Sequence, residues 1–358
     1  MKKILLSLFT LFAFILTATH LHAQGCVAIR STGGYCSMQQ ADSSKWQLTI
    51  NNRYFKSFRH FVGTDEQKQR MDLGTEVINH STATDIAITR KLNSRWSLML
   101  DMPILSNARS SLYEHANIGR NTTRSFGLGD MRVVLYSWLW NPEKKYKGNV
   151  QVGLGVKLPT GDYNYQDYFK LTDSTKRLGP VDQSIQLGDG GTGLTLEVNG
   201  FYNLSHGLGL YGNFYYLSNP REQNGVSTAR GGTATATAIL NGSDVMSVPD
   251  QMMIRAGVNY MINRLTVSAG LRQESIPVYD LIGGSNGFRR PGRILTVEPG
   301  VTYSLPKVSV FAYVPTSISR NRTQSVADKI ATARTGRFTQ GDAAFADYSI
   351  NIGASFRF

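Results

Sequence analysis

Four histidines follow residue 23: His60, His80, His115 and His206. Two of them adjoin a serine, in His80-Ser81 and Ser205-His206. Serine hydrolysis needs the serine, a base and an orienting group in hydrogen-bond reach of one another. On a strand, adjacent side chains point to opposite faces, so His80 and Ser81 cannot act together directly. Ser205-His206 falls in a short polar turn. No catalytic residue is assigned, and a lipid hydrolase stands only as a remote alternative. Cys26 and Cys36 are the two cysteines, with no cluster of further Cys or His beside them. They make no metal site and read as a disulfide closing a small loop in an oxidising compartment. Lipidation of Cys26 is the alternative reading, although Ala23-Gln24-Gly25 is a poor signal for it. No cofactor is expected.

The elements that must position the remaining charged side chains are legible from the two ends inward. Lys2 and Lys3, an apolar run from Ile4 to Leu16, and small or polar residues up to Ala23 form a secretory signal peptide, residues 1–23. Residues 24–44 are then a periplasmic N-terminal segment or a plug, and 45–358 a single domain. After residue 23 no stretch reaches the roughly 18 consecutive apolar residues of a membrane helix.

Instead the chain alternates. Val150, Val152, Leu154, Val156 and Leu158 are apolar, with Gln151, Gly153, Gly155 and Lys157 between them. Residues 194–204 and 252–262 repeat the pattern, which in a strand separates two faces. Twelve such segments occur near 45–57, 75–92, 95–107, 127–140, 148–160, 192–204, 208–218, 250–263, 265–277, 293–304, 308–317 and 345–358. Most exceed the roughly 5–6 residues usual in soluble sheets and match the roughly 9–11 that cross a bilayer as a tilted strand. Their connections alternate as well. Short turns, such as Asn93-Ser94 and Asn263-Arg264, are interleaved with long polar loops near 58–74, 108–126, 161–191, 219–249, 278–292 and 318–344.

This predicts an all-β fold: a closed antiparallel transmembrane β-barrel of twelve strands, with short periplasmic turns and long extracellular loops. Closure follows because unpaired backbone amides find no water in lipid. The final strand ends on an aromatic, Phe358, and resembles the assembly signal read by the outer-membrane insertion machinery. The expected location is the bacterial outer membrane, with membrane lipids and lipopolysaccharide as partners.

Charged side chains on these strands should face the interior, because Arg or Lys at the bilayer midplane costs about 2–4 kcal/mol. The lumen candidates are Arg53, Asp101, Arg132, Lys157, Glu197, Arg255, Arg272, Glu274, Glu298 and Arg357. They could brace the wall as ion pairs or line a path for solute. The net charge of +13 comes with no basic helix, zinc spacing or aromatic–basic motif, so nucleic acid is not an expected partner.

One stretch adds a family. Phe126-Gly-Leu-Gly-Asp130 opens a strand, and Gly153-Leu-Gly-Val-Lys-Leu-Pro-Thr-Gly-Asp162 closes the next. This resembles the putative phenol-degradation meta-pathway family of outer-membrane barrels, which are similar to fatty-acid channels. The resemblance implies a passive channel for small solutes, hydrophobic or aromatic ones included. It supplies no catalytic residues. On the residues alone, Asp130, Pro159, Thr160 and Asp162 read first as turn chemistry at the extracellular rim, and second as a contact for solute. The alternative function is a structural, adhesion or secretion-assembly barrel without transport.

Overall fold

The structure is a computed structural model that describes residues 44–145 and 147–358. The signal peptide, Cys26, Cys36 and all of the segment 24–44 except Ser44 lie outside the described residues. Twelve passes form one closed antiparallel barrel. They are β1 (Trp46–Val62), β2 (Ile78–Lys91), β3 (Trp96–Ser111), β4 in two halves (Asn121–Leu128 and Arg132–Trp138), β5 (Gly148–Lys157) and β6 (Gly193–Asn203). Then follow β7 (Leu208–Ser218), β8 (Gln251–Ile262), β9 (Leu265–Ile276), β10 (Gly292–Ser304), β11 in two halves (Val308–Tyr313 and Thr316–Arg322) and β12 (Ala343–Arg357).

Each pass pairs with its neighbour in sequence, and β1 closes on β12 from Gln47↔Arg357 to Phe61↔Ala343. At the seam, Trp46 and Phe358 exchange two backbone hydrogen bonds, of 2.9 and 3.0 Å. Alternation decides which side chains face lipid. Leu98, Ile104, Leu154, Leu196, Val258, Leu271 and Ile352 are exposed, whereas Asn51, Asp101, Asn199 and Glu298 are buried. Apolar groups outside and polar groups inside reverse the soluble pattern, as hydrocarbon around a closed barrel requires. Trp46, Trp96, Tyr202, Tyr260, Tyr303 and Phe358 stand exposed near the ends that carry the short turns, where an aromatic girdle belongs.

Several passes run beyond the expected boundaries. β1 continues to Val62, β3 to Ser111 and β11 to Arg322, and β4 begins already at Asn121. Polar residues there still pair because strands can project above the membrane. The two broken passes were not foreseen, and both breaks coincide with proline. β4 breaks at Gly129-Asp130-Met131, opposite Pro103 of β3, which has no amide hydrogen to offer the ladder. β11 breaks at Val314-Pro315, beside Pro299 of β10.

The long loops carry their own structure. In the third, Gln166–Lys170 pairs with Lys176–Pro180; in the fourth, Gln223–Ser227 pairs with Val245–Ser247. The alternating Thr-Ala run at 233–237 suggests a hairpin, but the chain there enters a short helix, Ala236–Leu240. Thr235 caps it by accepting the Ala238 amide.

Candidate functional site

Nine of the ten lumen candidates form a belt around the barrel at mid-height. Each lies five to nine residues above the periplasmic end of its pass, and each is at least nine-tenths buried. On one side, Asp101 of β3 accepts from Arg132 Nη2 at 2.6 Å. Arg132 Nη1 reaches Glu197 Oε1 of β6 at 3.6 Å, and Glu197 accepts the Tyr136 hydroxyl at 2.7 Å. Arg132 also stacks over the Tyr215 ring of β7. That reach, from β4 across β5, is open because β5 presents Gly153 and Gly155 to the lumen. A Cβ on Gly153 would collide with the Tyr136 ring, and one on Gly155 would sit 2.6 Å from Thr195 Oγ1.

On the other side, Glu298 of β10 pairs with Arg255 of β8 and, at 3.3 Å, with Arg272 of β9. Arg272 also holds Glu274 at 2.7 Å. Arg255 lies 5.0 Å from the centres of both the Tyr211 and Tyr313 rings. Arg53 and Lys157 complete the cationic members. Asp85, buried on β2, is an acid of the belt that the sequence reading did not single out. Its phase between Ala83 and Ala87 was the signal. Positive and negative groups are close to balanced, so the belt is no single-sign ring of the kind that selects ions strongly. Arg357 does not join it. Its guanidinium sits at the periplasmic rim, donating to Leu305 O at 3.0 Å and Ser309 Oγ at 3.2 Å across the last short turn.

The four motif residues divide. Asp130 is buried in the break of β4 rather than placed out at the rim. It accepts the backbone amides of Gly161 at 3.0 Å and Asp189 at 3.1 Å. Lys157 Nζ lies 3.5 Å from Asp130 and closer still to Asp189. Thr160 Oγ1 accepts the Met131 amide and donates to Gly129 O, both at 2.9 Å, so it stitches the same break from the next pass. Pro159 and Asp162 are exposed, and Asp162 caps the turn through the Asn164 amide.

What the sequence reading missed is the occupant of the outer mouth. The segment 24–44, expected as a plug or a periplasmic segment, lies but for Ser44 outside the described residues; among the described residues the third loop folds inward at 181–191. Val181, Ile185 and Leu187 are buried there, and Leu187 packs against Ala83 and Leu105 of the wall. Three apolar residues in the otherwise polar stretch 181–191 were the available clue. Side chains of the wall and of the fifth loop hold the segment: Ser125 Oγ donates to Ile185 O at 2.5 Å, and Arg290 of that loop grips Asp182 with two bonds of 2.9 and 2.6 Å. Arg109 lies 3.5 Å from the same carboxylate. Burial pushes the Asp182 carboxyl up, but Arg109 and Arg290 outweigh it and hold the group well below the ordinary carboxylate range.

Beneath the plug is a cavity of about 130 Å³, partly open to solvent. Apolar surface from Phe55, Leu105, Leu187, Tyr215 and Ile276 meets Arg53, Asp101, Arg132 and Lys157 there. Below the belt, Ala87, Met99, Val134 and Tyr136 cluster on one wall and Phe311 with Tyr313 on another. The cavity thus lies between the plug above and these apolar, aromatic-bearing wall clusters below.

A closed twelve-pass wall with an apolar exterior and a polar, charge-bearing lumen defines a bacterial outer-membrane β-barrel. No family model and no curated protein sequence matches the chain. Among solved structures, an outer membrane channel from Pseudomonas putida F1 is similar at a TM-score of 0.60 and 9% identity, over 92% of this chain and all of that one. That likeness shows the fold. The translocator domain of the autotransporter NalP from Neisseria meningitidis has a TM-score of 0.46 at 11% identity, covering 89% of this chain and 91% of that one. A Pseudomonas aeruginosa FadL homologue has a TM-score of 0.45 at 9% identity, covering 94% and 100%.

Proposed function

We propose that the protein is a passive outer-membrane channel for small solutes, hydrophobic or aromatic ones included, gated by the 181–191 plug. The observation that carries this reading is the cavity itself. Its apolar patches would hold a ring or chain, and its paired charges would hold a polar end without demanding a charged solute. The Gly-x-Gly-Asp and Leu-Pro-Thr-Gly-Asp motifs support placing the chain beside the phenol-degradation meta-pathway barrels, and the Pseudomonas putida fold match supports the channel reading by analogy.

Transport needs no catalytic group, and we read the protein as a non-enzyme. His80 faces outward while Ser81 donates to Asn107 inside the barrel, and His206 lies in a periplasmic turn. The exposed C-terminal Phe358 supports recognition by the insertion machinery, and the apolar wall supports contact with lipid and lipopolysaccharide.

The closed mouth favours a second reading, a structural barrel without transport. Single-channel recording in a planar bilayer separates the two. Discrete conductance steps blocked by added aromatic solutes support the channel. Silence from correctly folded protein, persisting after residues 181–187 are replaced by a short Gly-Ser linker, sinks it.

A further inference from the structure

On the outward face of β1 to β4, the chemistry changes with height in register. Ile50, Ile86 and Met102 form an apolar row. Two residues higher come Asn52, Thr84, Ile104 and Leu128, with Asn52 Nδ2 donating to Thr84 Oγ1 at 2.8 Å. The next row is Tyr54, Thr82, Ser106 and Phe126, hydroxyls flanked by two aromatic rings. The row above it is Lys56, His80, Ala108 and Arg124, three basic residues around one alanine. Lys56, His80 and Arg124 are all exposed. At comparable heights β6 shows lipid only Leu194 and Leu196.

Lys56 lies ten residues above Trp46 of the periplasmic girdle. A tilted strand climbs about 2.5 Å per residue along the membrane normal, which puts Lys56 about 25 Å up, at the outer edge of the hydrocarbon, and the row rises from there towards Arg124, farther from the periplasmic end of its own pass. The anions at that height are the phosphates of the outer leaflet.

We propose that this face binds the headgroup of a phosphorylated glycolipid of the outer leaflet. Lys56 and Arg124 take phosphates at its two ends, about 14 Å or three strand spacings apart. Ala108 leaves space between them. Tyr54 Oη lies 2.8 Å from His80 Nδ1. With that hydroxyl donating, the Nε2–H of the exposed His80 is left to donate to the headgroup. Thr82 and Ser106 meet sugar hydroxyls below, and the acyl chains run down the Ile50–Ile86–Met102 row. Lys56 is steadied over the Phe58 ring at 4.7 Å. Asp167 accepts the Arg124 backbone amide at 2.7 Å. The inference rests on the outer-membrane placement of the barrel and is independent of channel activity.

The test is native mass spectrometry of the refolded full chain with bisphosphorylated lipid A. The probe is compared with its fully dephosphorylated form and challenged with inorganic phosphate in millimolar excess. The double variant Lys56→Gln/Arg124→Gln should bind about tenfold less lipid, the double variant Lys56→Arg/Arg124→Lys should keep binding, and both should keep the wild-type conductance and heat-modifiable gel shift. Equal binding of the dephosphorylated lipid, or unchanged binding by the glutamine variant, overturns the proposal. Displacement of the lipid by inorganic phosphate overturns it too, in favour of a site for free phosphate. A silent channel that still shows this lipid pattern would count against transport alone.

Discussion

Asp130 and Asp189 stand 59 residues apart in sequence, yet the Asp130 carboxylate accepts the Asp189 amide at 3.1 Å. The other Asp130 oxygen takes the Gly161 amide, so the break in β4 is fastened to both stems of the third loop. Lys157 Nζ lies between the two acids and pairs with both. Replacing Asp130 by Ala should free two amides and leave Lys157 with Asp189 alone. Each unsatisfied buried group costs about 1–3 kcal/mol. The expected result is a plug that flickers, seen as noisier and larger conductance, with the barrel still folded by gel mobility. An unchanged trace would mean that the stem is held elsewhere.

The Asp182 latch predicts a stronger effect. Asp182→Ala removes the anion that Arg290 holds with two hydrogen bonds. Breaking a buried pair from one side costs about 3–5 kcal/mol, enough to move a closed plug toward open. Conductance should rise, and limited proteolysis should cut at 181–191. Protection equal to wild type would contradict the latch.

The same pair sets a pH window. The carboxyl of Asp182 is held well below its ordinary range in the latched state. The latch is therefore fully stabilised above the ordinary carboxylate value and weakens only as pH falls through the depressed one. Conductance should stay flat from neutral pH to about pH 4 and rise only in stronger acid. A midpoint near pH 6 would assign gating to a different group.

Gly153 tests the wall. A methyl added there strikes the Tyr136 ring and displaces its hydroxyl from Glu197. Gly153→Ala should cost about 1–3 kcal/mol and lower the temperature at which the folded, fast-migrating species is lost. If melting does not change, close approach is not why glycine stands at this position.

The near-balanced belt predicts weak ion selectivity for the open pore. Glu274→Gln removes one acid while Arg272 keeps Glu298. The reversal potential across a salt gradient should then shift toward anions by about twofold in permeability ratio. A strongly selective wild type would show that ions travel by a route away from the belt.

Period-two alternation determined the barrel from the sequence alone. A strand has only two faces, and hydrocarbon tolerates Leu196 on the outer one but not Glu197. Together with the order of short and long connections, this determined twelve passes, closure of β1 on β12, and the inward placement of Arg132, Arg255 and Glu298. The prolines at 103, 299 and 315 also stood in the sequence, but only the register showed that they lie at the breaks. Which charges pair was beyond the sequence. Arg132 reaches Glu197 across a whole strand, through room that Gly153 and Gly155 leave, and such reach depends on barrel curvature. The inward fold of 181–191 was likewise decided by tertiary structure. Val181, Ile185 and Leu187 carry no helical or strand period, so their burial could be seen only once Ala83, Leu105 and Arg290, distant in sequence, surrounded one mouth.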